Sequence, residues 1–363
     1  MMNIAFRVDA SVAIGSGHLM RCLTLADALS RSGATCWFIH REHDGHMAEL
    51  IRERGHKVVL LPPPGPTEAP DNADEYAQWL GIPPERDAEQ TIVALDGCRL
   101  DWLVVDNYAL DTSWEQRLRP HAERIAIIDD LANRCHDADL LLDQNYSAEG
   151  AARYDGLLPA TATRLCGPAY ALLHPAFAEH RKARQPHTGK VERVFVFFGG
   201  TDPDNLTGQV LTALLTPEFA HWAIDAVVGA NNPHHDALKA QAARRGQTIL
   251  HGPQSHLADL MAKADLAIGA GGATTWERCC LGLPSVVVSI AENQRPACEA
   301  LAADGYIAYA GHHDQVTAEK LGAVMATLSG EPERLRHMAL MGCDLVDGLG
   351  TTRMTDQLMA GGG

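Results

Sequence analysis

The sequence contains no CxxC pair, no block of Lys or Arg, and no apolar run near the roughly 20 residues needed to cross a bilayer. Its nine cysteines form an odd set without metal-ligand spacing, which argues against a disulfide framework and against a zinc site. A formal net charge of −16 without a basic cluster disfavours binding to nucleic acid or anionic membranes. We find no export signal and expect a cytoplasmic protein without a membrane span.

Short β-rich runs alternate with helical patterns in both halves of the 363 residues. The runs lie at 3–9, 35–40, 57–61, 102–106, 124–130 and 139–143, and then at 193–200, 223–229, 248–252, 265–272, 284–290 and 306–311. Such alternation predicts a parallel sheet with helices on both faces. The length and the two series together predict an α/β protein of two doubly wound, Rossmann-like domains that face each other across a cleft.

A polar segment at 180–190 with proline and glycine is typical of a linker between these domains. We therefore expect an N-terminal domain over 1–180 and a C-terminal domain over 190–363, with the last helix packing back on the N-terminal domain. The excursion at 62–90 between the third and fourth strands begins as a proline-rich loop and continues in two helical patterns.

The stretch "AIGSGHLMRCLTLADAL" at 13–29 places His18 between a glycine turn and a helix. Gly15 and Gly17 let the backbone approach a ligand closely, and the positive end of the helix dipole favours a neutral imidazole that suits a general base. Arg21 is expected on the same side of the helix, facing a substrate or a carboxylate such as Asp9. A polar residue that merely starts the helix is the alternative for His18.

A second glycine-rich turn lies in "DLAIGAGGATTWERCCLGLP" at 265–284, where a buried-type strand runs into a helix. Backbone N–H groups at such a helix start can hold an anion, here through Gly271, Gly272, Ala273 and Thr274. The spacing is not GxGxxG, so NAD is not expected. Glu277 either accepts both hydroxyls of a ribose or only complements the helix dipole.

Other strand ends carry further candidates. Gly199 and Gly200 permit either ligand contact or close domain approach, and Asn293 and Gln294 either cap a helix or bind sugar hydroxyls. Asp106 and Tyr108 are expected on the cleft side of one strand. The adjacent pair Asp129 and Asp130 invites a metal or acid–base role, but one capping and one solvated carboxylate is the commoner arrangement.

Seven segments between residue 3 and about residue 300 resemble, in order, the PseG family of UDP-2,4-diacetamido-2,4,6-trideoxy-β-L-altropyranose hydrolases. They are "FRVDASVAIGSGHLMRCLTLADAL", "WLGIPPERDAEQT", "VVDNYALD", "IIDDLANR", "GPAYALL", "FFGGTDPDNLT" and "IGAGGATTWERCCLGLP" followed by "AENQ". The resemblance implies a GT-B architecture similar to the MurG glycosyltransferase, with UDP held mainly by the C-terminal domain.

The resemblance also implies hydrolysis of the UDP-sugar to UDP and the free sugar in pseudaminic acid biosynthesis, a pathway linked to flagellin glycosylation. Water would attack the anomeric carbon with inversion, without a metal or cofactor. His18 falls on the family's catalytic histidine, Tyr108 on its active-site tyrosine, Asn293 on a polar residue near the reacting sugar and Glu277 on the ribose-binding acid of the wider fold. His174 departs from the family pattern, where arginine is expected.

The sequence therefore predicts a nucleotide-sugar hydrolase whose partner is a small UDP-sugar, with a monomer as a plausible oligomeric state. The predicted catalytic residues are His18, Tyr108 and Asn293. The predicted substrate-binding residues are Asp9, Gly15, Gly17, Arg21, Gly199, Gly200, Gly271, Gly272, Ala273, Thr274, Glu277 and Gln294. Two alternatives remain at this point: a UDP-sugar glycosyltransferase on the same fold, and a nucleotide-sugar-binding protein without catalysis.

Overall fold

Two parallel sheets organise the chain, one in each of two units of the computed structural model, which describes residues 2–65 and 75–360. The first unit comprises the described residues up to Asn145, the segment Glu149–Leu172 and the last helix; the second comprises Tyr146–Ala148 and Leu173–Leu349. Part of the predicted loop at 62–90 falls at 66–74, outside the described residues.

The first sheet has seven parallel strands in the order β3-β2-β1-β4-β5-β6-β7. These are β1 Asn3–Val8, β2 Thr35–Arg41, β3 Lys57–Leu61, β4 Leu100–Asp106, β5 Ala122–Ile128, β6 Leu140–Asp143 and β7 Thr163–Cys166. The helices of this part of the chain are α1 Gly17–Arg31, α2 Ala48–Glu53, α3 Glu75–Leu80, α4 Pro84–Leu95 and α5 Thr112–Leu118. The strand order reverses between β1 and β4, and ligands of doubly wound folds bind beyond the carboxyl ends at such a switch point.

Alternation along β1 shows why the sheet is covered on both faces. Ile4, Phe6 and Val8 pack into one buried cluster, while Ala5 packs into another. Helix α1 covers the first face with the residues its period predicts, Leu19, Cys22, Leu23, Ala26 and Leu29, all fully buried. Full burial of each large apolar side chain contributes roughly 1.5–3 kcal/mol, so this face fixes α1 against the strand that precedes it.

The second sheet has six parallel strands in the order β10-β9-β8-β11-β12-β13. These are β8 Arg193–Phe197, β9 Ala223–Val227, β10 Thr248–His251, β11 Leu266–Ala270, β12 Ser285–Ser289 and β13 Ala308–His312. The helices that follow in sequence are α6 Pro175–Ala183, α7 Leu206–Ala213, α8 His235–Arg245, α9 Ala258–Met261, α10 Thr274–Cys280, α11 Arg295–Ala303, α12 Ala318–Ser329, α13 Pro332–Leu345 and α14 Gly350–Ala360. The switch point of this sheet lies between β8 and β11.

The predicted α/β class and all twelve predicted strands are confirmed, and β7 is an additional edge strand. Helix α6, which the sequence division at 180 assigns mostly to the first domain, packs against α9 and α10 in the second unit. Helix α14 packs on α1 in the first unit, where the Trp102 indole N–H donates to the Leu358 carbonyl over 3.0 Å.

Candidate active site

His18 lies at the start of α1, on the loop that follows β1. The loop closes tightly, because the Gly15 N–H donates to the Ser11 carbonyl over 2.9 Å. Gly15 has a φ of +78°, a conformation that glycine adopts without strain, whereas Gly17 is already the first residue of the helix. The glycine turn thus carries the chain from the strand into α1 and leaves His18 at the carboxyl edge of the sheet.

A short contact joins His18 to Asp106, the last residue of β4. His18 Nδ1 lies 2.6 Å from Asp106 Oδ1, and the carboxylate is wholly buried while the imidazole is 14% exposed. Burial opposes ionisation of Asp106, but Arg21 and His18 outweigh it and hold the pKa of this carboxyl well below its usual range. An ionised carboxylate can only accept, so Nδ1 donates to it and Nε2 of the neutral ring carries the lone pair.

Arg21 lies one turn further along α1 and joins two carboxylates. Its Nε and Nη2 each donate to Asp106 over 2.7 Å, and its Nη1 donates to Asp130 over 2.7 Å. The expected partner Asp9 is therefore wrong, because the side chain reaches the ends of β4 and β5 instead. With these donors engaged, Arg21 holds the two carboxylates in place and is not a free cation for a substrate.

Tyr108 packs against the His18 ring and reaches Asp130. Its ring meets the His18 ring edge-on with centroids 4.6 Å apart, and its phenol donates to Asp130. Burial, together with the Asp130 charge, raises the pKa of Tyr108 well above its ordinary value, so the phenol stays protonated at neutral pH. We name this connected group the histidine cluster; its members are His18, Arg21, Asp106, Tyr108 and Asp130.

The adjacent carboxylates at the end of β5 have different tasks. Asp129 is fully buried and accepts the Ala132 N–H over 2.8 Å, so it is the capping group that the sequence predicts for one of the two. Asp130 is not the solvated partner that was expected. Its two oxygens are engaged, one by Arg21 and Tyr108 and the other by the Asn145 amide over 2.8 Å.

Asp9, predicted to bind substrate, belongs to a second buried charge network that also contains Asp87 and two arginines. Arg7 Nη1 lies 2.7 Å from Asp9 Oδ1, which also accepts the Arg41 backbone N–H over 2.7 Å. The Asn107 amide donates to Asp9 Oδ2 over 3.1 Å. Asp87 binds both arginines through contacts of 2.6 Å. Asp9 is thus occupied by protein donors, and it holds Asn107 in place.

A small pocket opens over the histidine cluster. Its lining combines polar side chains with one aliphatic and two aromatic side chains, including Trp79 of α3, which sequence reasoning missed. The lining residues are Asp9, Ile14, His18, Trp79, Asp106, Asn107 and Tyr108. The available signal for Trp79 was its place in "WLGIPPERDAEQT", one of the segments that carry the family resemblance.

Gly199 and Gly200 follow β8 in the second unit. Gly199 has a φ of +95°, and within the described chain nothing lies within 4 Å of a Cβ added at either glycine. The Gly200 carbonyl oxygen would lie 1.9 Å from a Cβ added at Gly229, so two backbone segments meet here. The close approach of these segments therefore explains the glycine at 229, whereas at 199 it is the positive φ that favours glycine.

The predicted anion-binding turn after β11 has fewer free donors than expected. The Gly271 N–H donates to the Val288 carbonyl over 3.0 Å, because this residue continues the ladder between β11 and β12. Within residues 2–65 and 75–360, no acceptor is found for the N–H groups of Gly272, Ala273 and Thr274. The donors that remain for a ligand are these three.

Glu277 lies in the first turn of α10. Its Oε2 is enclosed and has no hydrogen-bond donor among the described residues. Burial raises the pKa of Glu277 to about 8, although the neighbouring Arg278 charge acts in the opposite direction. An enclosed acceptor without a donor is costly, so this carboxyl is suited to receive hydrogen bonds from a bound molecule.

Arg278 is a second residue that sequence reasoning missed. It is 1% exposed, its Nη2 donates to the Ala270 carbonyl and the Thr275 hydroxyl over 2.8 Å each, and its Nε has no partner in the described part of the chain. Gly269 leaves room for it, since an added Cβ would lie 2.8 Å from Nη1. Its signal was an arginine beside Glu277 in the short helix "TTWERCC", directly after the glycine turn.

Asn293 and Gln294 lie in the 3₁₀ turn Glu292–Gln294 that precedes α11. Gln294 Oε1 accepts the Ile290 N–H over 3.0 Å, and its Nε2 would lie 3.5 Å from a Cβ added at Gly272. The structure thus brings Gln294 beside the glycine turn after β11. Asn293 is half-buried in the same turn.

His174, the departure from the family pattern, caps α6. Its Nδ1 accepts the Ala176 N–H over 3.3 Å, and its ring stacks on His256 with centroids 4.7 Å apart. Within residues 2–65 and 75–360, no three His, Cys, Asp or Glu side chains are grouped so as to hold a metal ion. The same residues include no helix with the length and apolar character of a membrane span.

Both units therefore place their polar side chains at the switch point of a doubly wound sheet, and solved structures share this fold. MurG of Acinetobacter baumannii matches with a TM-score of 0.66 and 14% identity, covering 99% of this chain and 100% of that one. The UDP-GlcNAc 2-epimerase of Neisseria meningitidis, solved with UDP-GlcNAc, matches with a TM-score of 0.62 and 11% identity, covering 99% and 100%. The chain is an α/β protein of the GT-B type.

Proteins related to this chain in sequence give more information than the shared fold. The spore coat polysaccharide biosynthesis protein SpsG of Bacillus subtilis is 24% identical over 360 residues, which cover 98% of this chain and 97% of SpsG. The UDP-2,4-diacetamido-2,4,6-trideoxy-β-L-altropyranose hydrolase of Campylobacter jejuni is 24% identical over 307 residues, covering 84% and 98%. No family model matches the chain. The resemblance to PseG-type proteins that the sequence predicts is confirmed.

Proposed function

We propose that the protein hydrolyses a UDP-activated diacetamido-trideoxyhexose, namely UDP-2,4-diacetamido-2,4,6-trideoxy-β-L-altropyranose, to UDP and the free sugar. The observation that carries the proposal is the 2.6 Å contact between His18 Nδ1 and Asp106 at the switch point of the first sheet. The name of the Campylobacter jejuni relative supports the choice of substrate and of reaction.

His18 is the general base of this proposal. Asp106 fixes the tautomer that leaves Nε2 unprotonated, and Nε2 takes a proton from the attacking water. The water oxygen bonds to the anomeric carbon as the bond from that carbon to the phosphate oxygen breaks, and the electron pair leaves with UDP. Attack from the face opposite UDP inverts the anomeric centre.

UDP is bound by the second unit in this proposal. The N–H groups of Gly272, Ala273 and Thr274 and the amide of Gln294 are donors for a diphosphate, and the enclosed Glu277 carboxyl is an acceptor for ribose hydroxyls. A bound diphosphate is a good leaving group, so the reaction requires stabilisation of negative charge more than a strong acid. Arg278 adds a positive charge beneath this turn. No metal or cofactor is required by the proposal.

Phosphorus NMR tests the function directly. The purified protein is incubated with the altrose UDP-sugar and, separately, with the bacillosamine UDP-sugar, without any acceptor. We expect UDP to appear from the altrose compound and the anomer first formed to be inverted in the proton spectrum. UDP release only when an acceptor is added would indicate a glycosyltransferase instead, and tight binding without turnover would indicate a binding protein.

A further inference from the structure

Asp130 joins three parts of the first unit, just beyond the carboxyl end of β5. Arg21 of α1 donates to its Oδ2 over 2.7 Å, and the Tyr108 hydroxyl, from the loop after β4, donates to the same oxygen. The Asn145 side-chain amide, from the segment after β6, donates to Oδ1 over 2.8 Å. The Asp130 side chain is 12% exposed, so these bonds form largely out of water. This carboxylate has no part in the reaction proposed above, although it contacts two other members of the histidine cluster.

The Tyr108 hydroxyl has its proton engaged by Asp130. A phenol carries a single proton, and an ionised carboxylate that pairs with an arginine offers none in return. Tyr108 is 7% exposed, and burial together with the Asp130 charge raises its pKa well above the ordinary value. The proton therefore stays on the phenol at neutral pH and points at Asp130. Toward any further group, the Tyr108 oxygen is an acceptor.

The bond to Asp130 also fixes where the Tyr108 ring lies. His18 is anchored to Asp106 through Nδ1, and this one contact does not by itself prevent the imidazole from tilting. The Tyr108 ring meets the imidazole edge-on with centroids 4.6 Å apart, an arrangement that is favourable and directional. Because its hydroxyl is held by Asp130, the Tyr108 ring limits the tilt of the His18 ring.

Arg21 connects the supports of the two rings. It donates to Asp106, which holds His18, and to Asp130, which holds Tyr108. The two carboxylates follow from the neighbouring strands β4 and β5, so one guanidinium can reach both. Such a planar, multiply bonded arginine fixes the relative position of its acceptors. The base and the tyrosine beside it are therefore held by one connected set of bonds.

We propose that Asp130 is a positioning residue for the hydrolysis: it accepts the Tyr108 hydroxyl proton in a hydrogen bond and holds that ring against His18, so that Tyr108 supports the base and gives no proton to the departing UDP. The inference rests on the proposed function, because it assigns the base to His18. UDP leaves as an anion with the electron pair of the broken bond, and the proton that His18 takes from water passes to the solvent. Proton donation by Tyr108 to the leaving phosphate oxygen is the alternative.

A double-mutant cycle on kcat tests the positioning. Asp130→Asn and Tyr108→Phe should each lower kcat by roughly tenfold and change KM little, because a small displacement of a catalytic group reduces the rate strongly. Since both changes break the same link, the double variant should lose no more than the larger of the two single losses. Asp155→Asn removes an exposed carboxylate that pairs with Arg164 in the same unit, and this control should retain the wild-type kcat.

The pH profile of kcat separates support from proton donation. In Tyr108→Phe the profile should keep the wild-type shape at a lower level, because His18 and Asp106 remain. Loss of an alkaline limb in this variant would identify Tyr108 as an acid and overturn the inference. Independent losses that multiply in the double variant, or a loss that appears in KM instead of kcat, would also overturn it. Tyr108→Phe removes only the hydroxyl, so this profile decides the question even if Asp130→Asn does not fold.

Failure of the proposed function is distinguishable from failure of this inference. If the wild type releases no UDP, the proposed function fails, and the link between Asp130 and Tyr108 is then tested by urea unfolding of the wild type, the two single variants and the double variant. The double variant should lower the unfolding midpoint by less than the sum of the two single shifts. Additive shifts would show that the two residues do not act together and would contradict the link.

Discussion

The candidate sites of the two units differ in how their polar groups are paired. In the first unit, the members of the histidine cluster bind one another: Arg21 engages two carboxylates and Tyr108 donates to one of them. In the second unit, helix α10, which follows the turn after β11, has an enclosed Glu277 oxygen and an Arg278 nitrogen without partners in the described chain. The polar groups of the first site are hydrogen-bonded to one another, whereas the second site has buried polar atoms without a hydrogen-bond partner among the described residues.

This difference matches two kinds of work. A general base must be held in one orientation and one tautomer before substrate arrives, so its supporting bonds are made within the protein. A binding site gains affinity when its donors and acceptors find partners only on the ligand, because the free protein bears the cost of leaving them unpaired. Variants in the first unit should therefore change turnover, and variants in the second should change binding.

The largest effect is expected for His18→Ala. Loss of the base should reduce turnover by roughly 10²-fold or more, while UDP affinity stays unchanged because UDP is assigned to the second unit. Initial rates of UDP release and calorimetric UDP binding measure the two quantities. The control is His235→Ala, an exposed histidine of the second unit. Near-normal turnover in His18→Ala would show that the base is a different group.

The second largest effect is expected for Asp106→Asn. This change should lower turnover by roughly tenfold or more, because the amide no longer fixes the His18 tautomer. The acidic limb of the pH profile of kcat should also shift, since the imidazolium loses its anionic neighbour. Asp101→Asn, on the same strand, is the control. A loss of activity with an unshifted pH profile would mean that Asp106 only supports the fold through Arg21.

Glu277→Ala should weaken UDP binding by roughly tenfold and leave the turnover of bound substrate nearly intact, because two hydroxyl hydrogen bonds to a carboxylate are lost. Calorimetry with UDP and with uridine separates the ribose contribution from the diphosphate contribution. Glu299→Ala replaces an exposed carboxylate on α11 and serves as the control. Unchanged affinity for both ligands would eliminate the ribose role.

Gly271→Ala and Gly272→Ala form a matched pair that tests the packing of the turn. A Cβ at Gly271 would lie 2.3 Å from Cys298 Sγ, whereas at Gly272 the nearest atom, Gln294 Nε2, is 3.5 Å away. We expect Gly271→Ala to lower the free energy of unfolding by about 1–3 kcal/mol in urea, and Gly272→Ala to change it far less. Adding Cys298→Ala should restore part of the loss. Equal effects at both glycines would contradict this geometry.

The smallest effect concerns pH and stability. Because the pKa of Glu277 rises from 4.5 to about 8 on folding, the native state retains a proton that the unfolded chain releases within this pH interval. Glu277 therefore contributes a fall in the free energy of unfolding as pH rises from about 5 to 8. Glu277→Gln should reduce that fall by an amount on the order of 1 kcal/mol, after allowance for solvent screening. An identical pH dependence in both proteins would contradict the assignment.

Sequence patterns predicted the elements well and their partners poorly. The strands and the apolar face of α1 follow from residues at most a few positions apart, so the pattern alone shows them. The partner of Arg21 is separated from it by 85 residues at Asp106 and by 109 at Asp130, and the sequence offered Asp9 instead. Strand β7 was missed because "TRLC" is short and has only one fully buried position.

The sequence by itself determined two doubly wound units, a histidine at one glycine turn and a second glycine turn followed by an acid, because local periodicity and glycine placement encode these features. Only the tertiary structure decided that His18 contacts Asp106, that the Gly271 N–H donates to the Val288 carbonyl, and that Trp79 lines the pocket. Each of these contacts depends on which strand ends become neighbours, and that is settled by the packing of whole sheets.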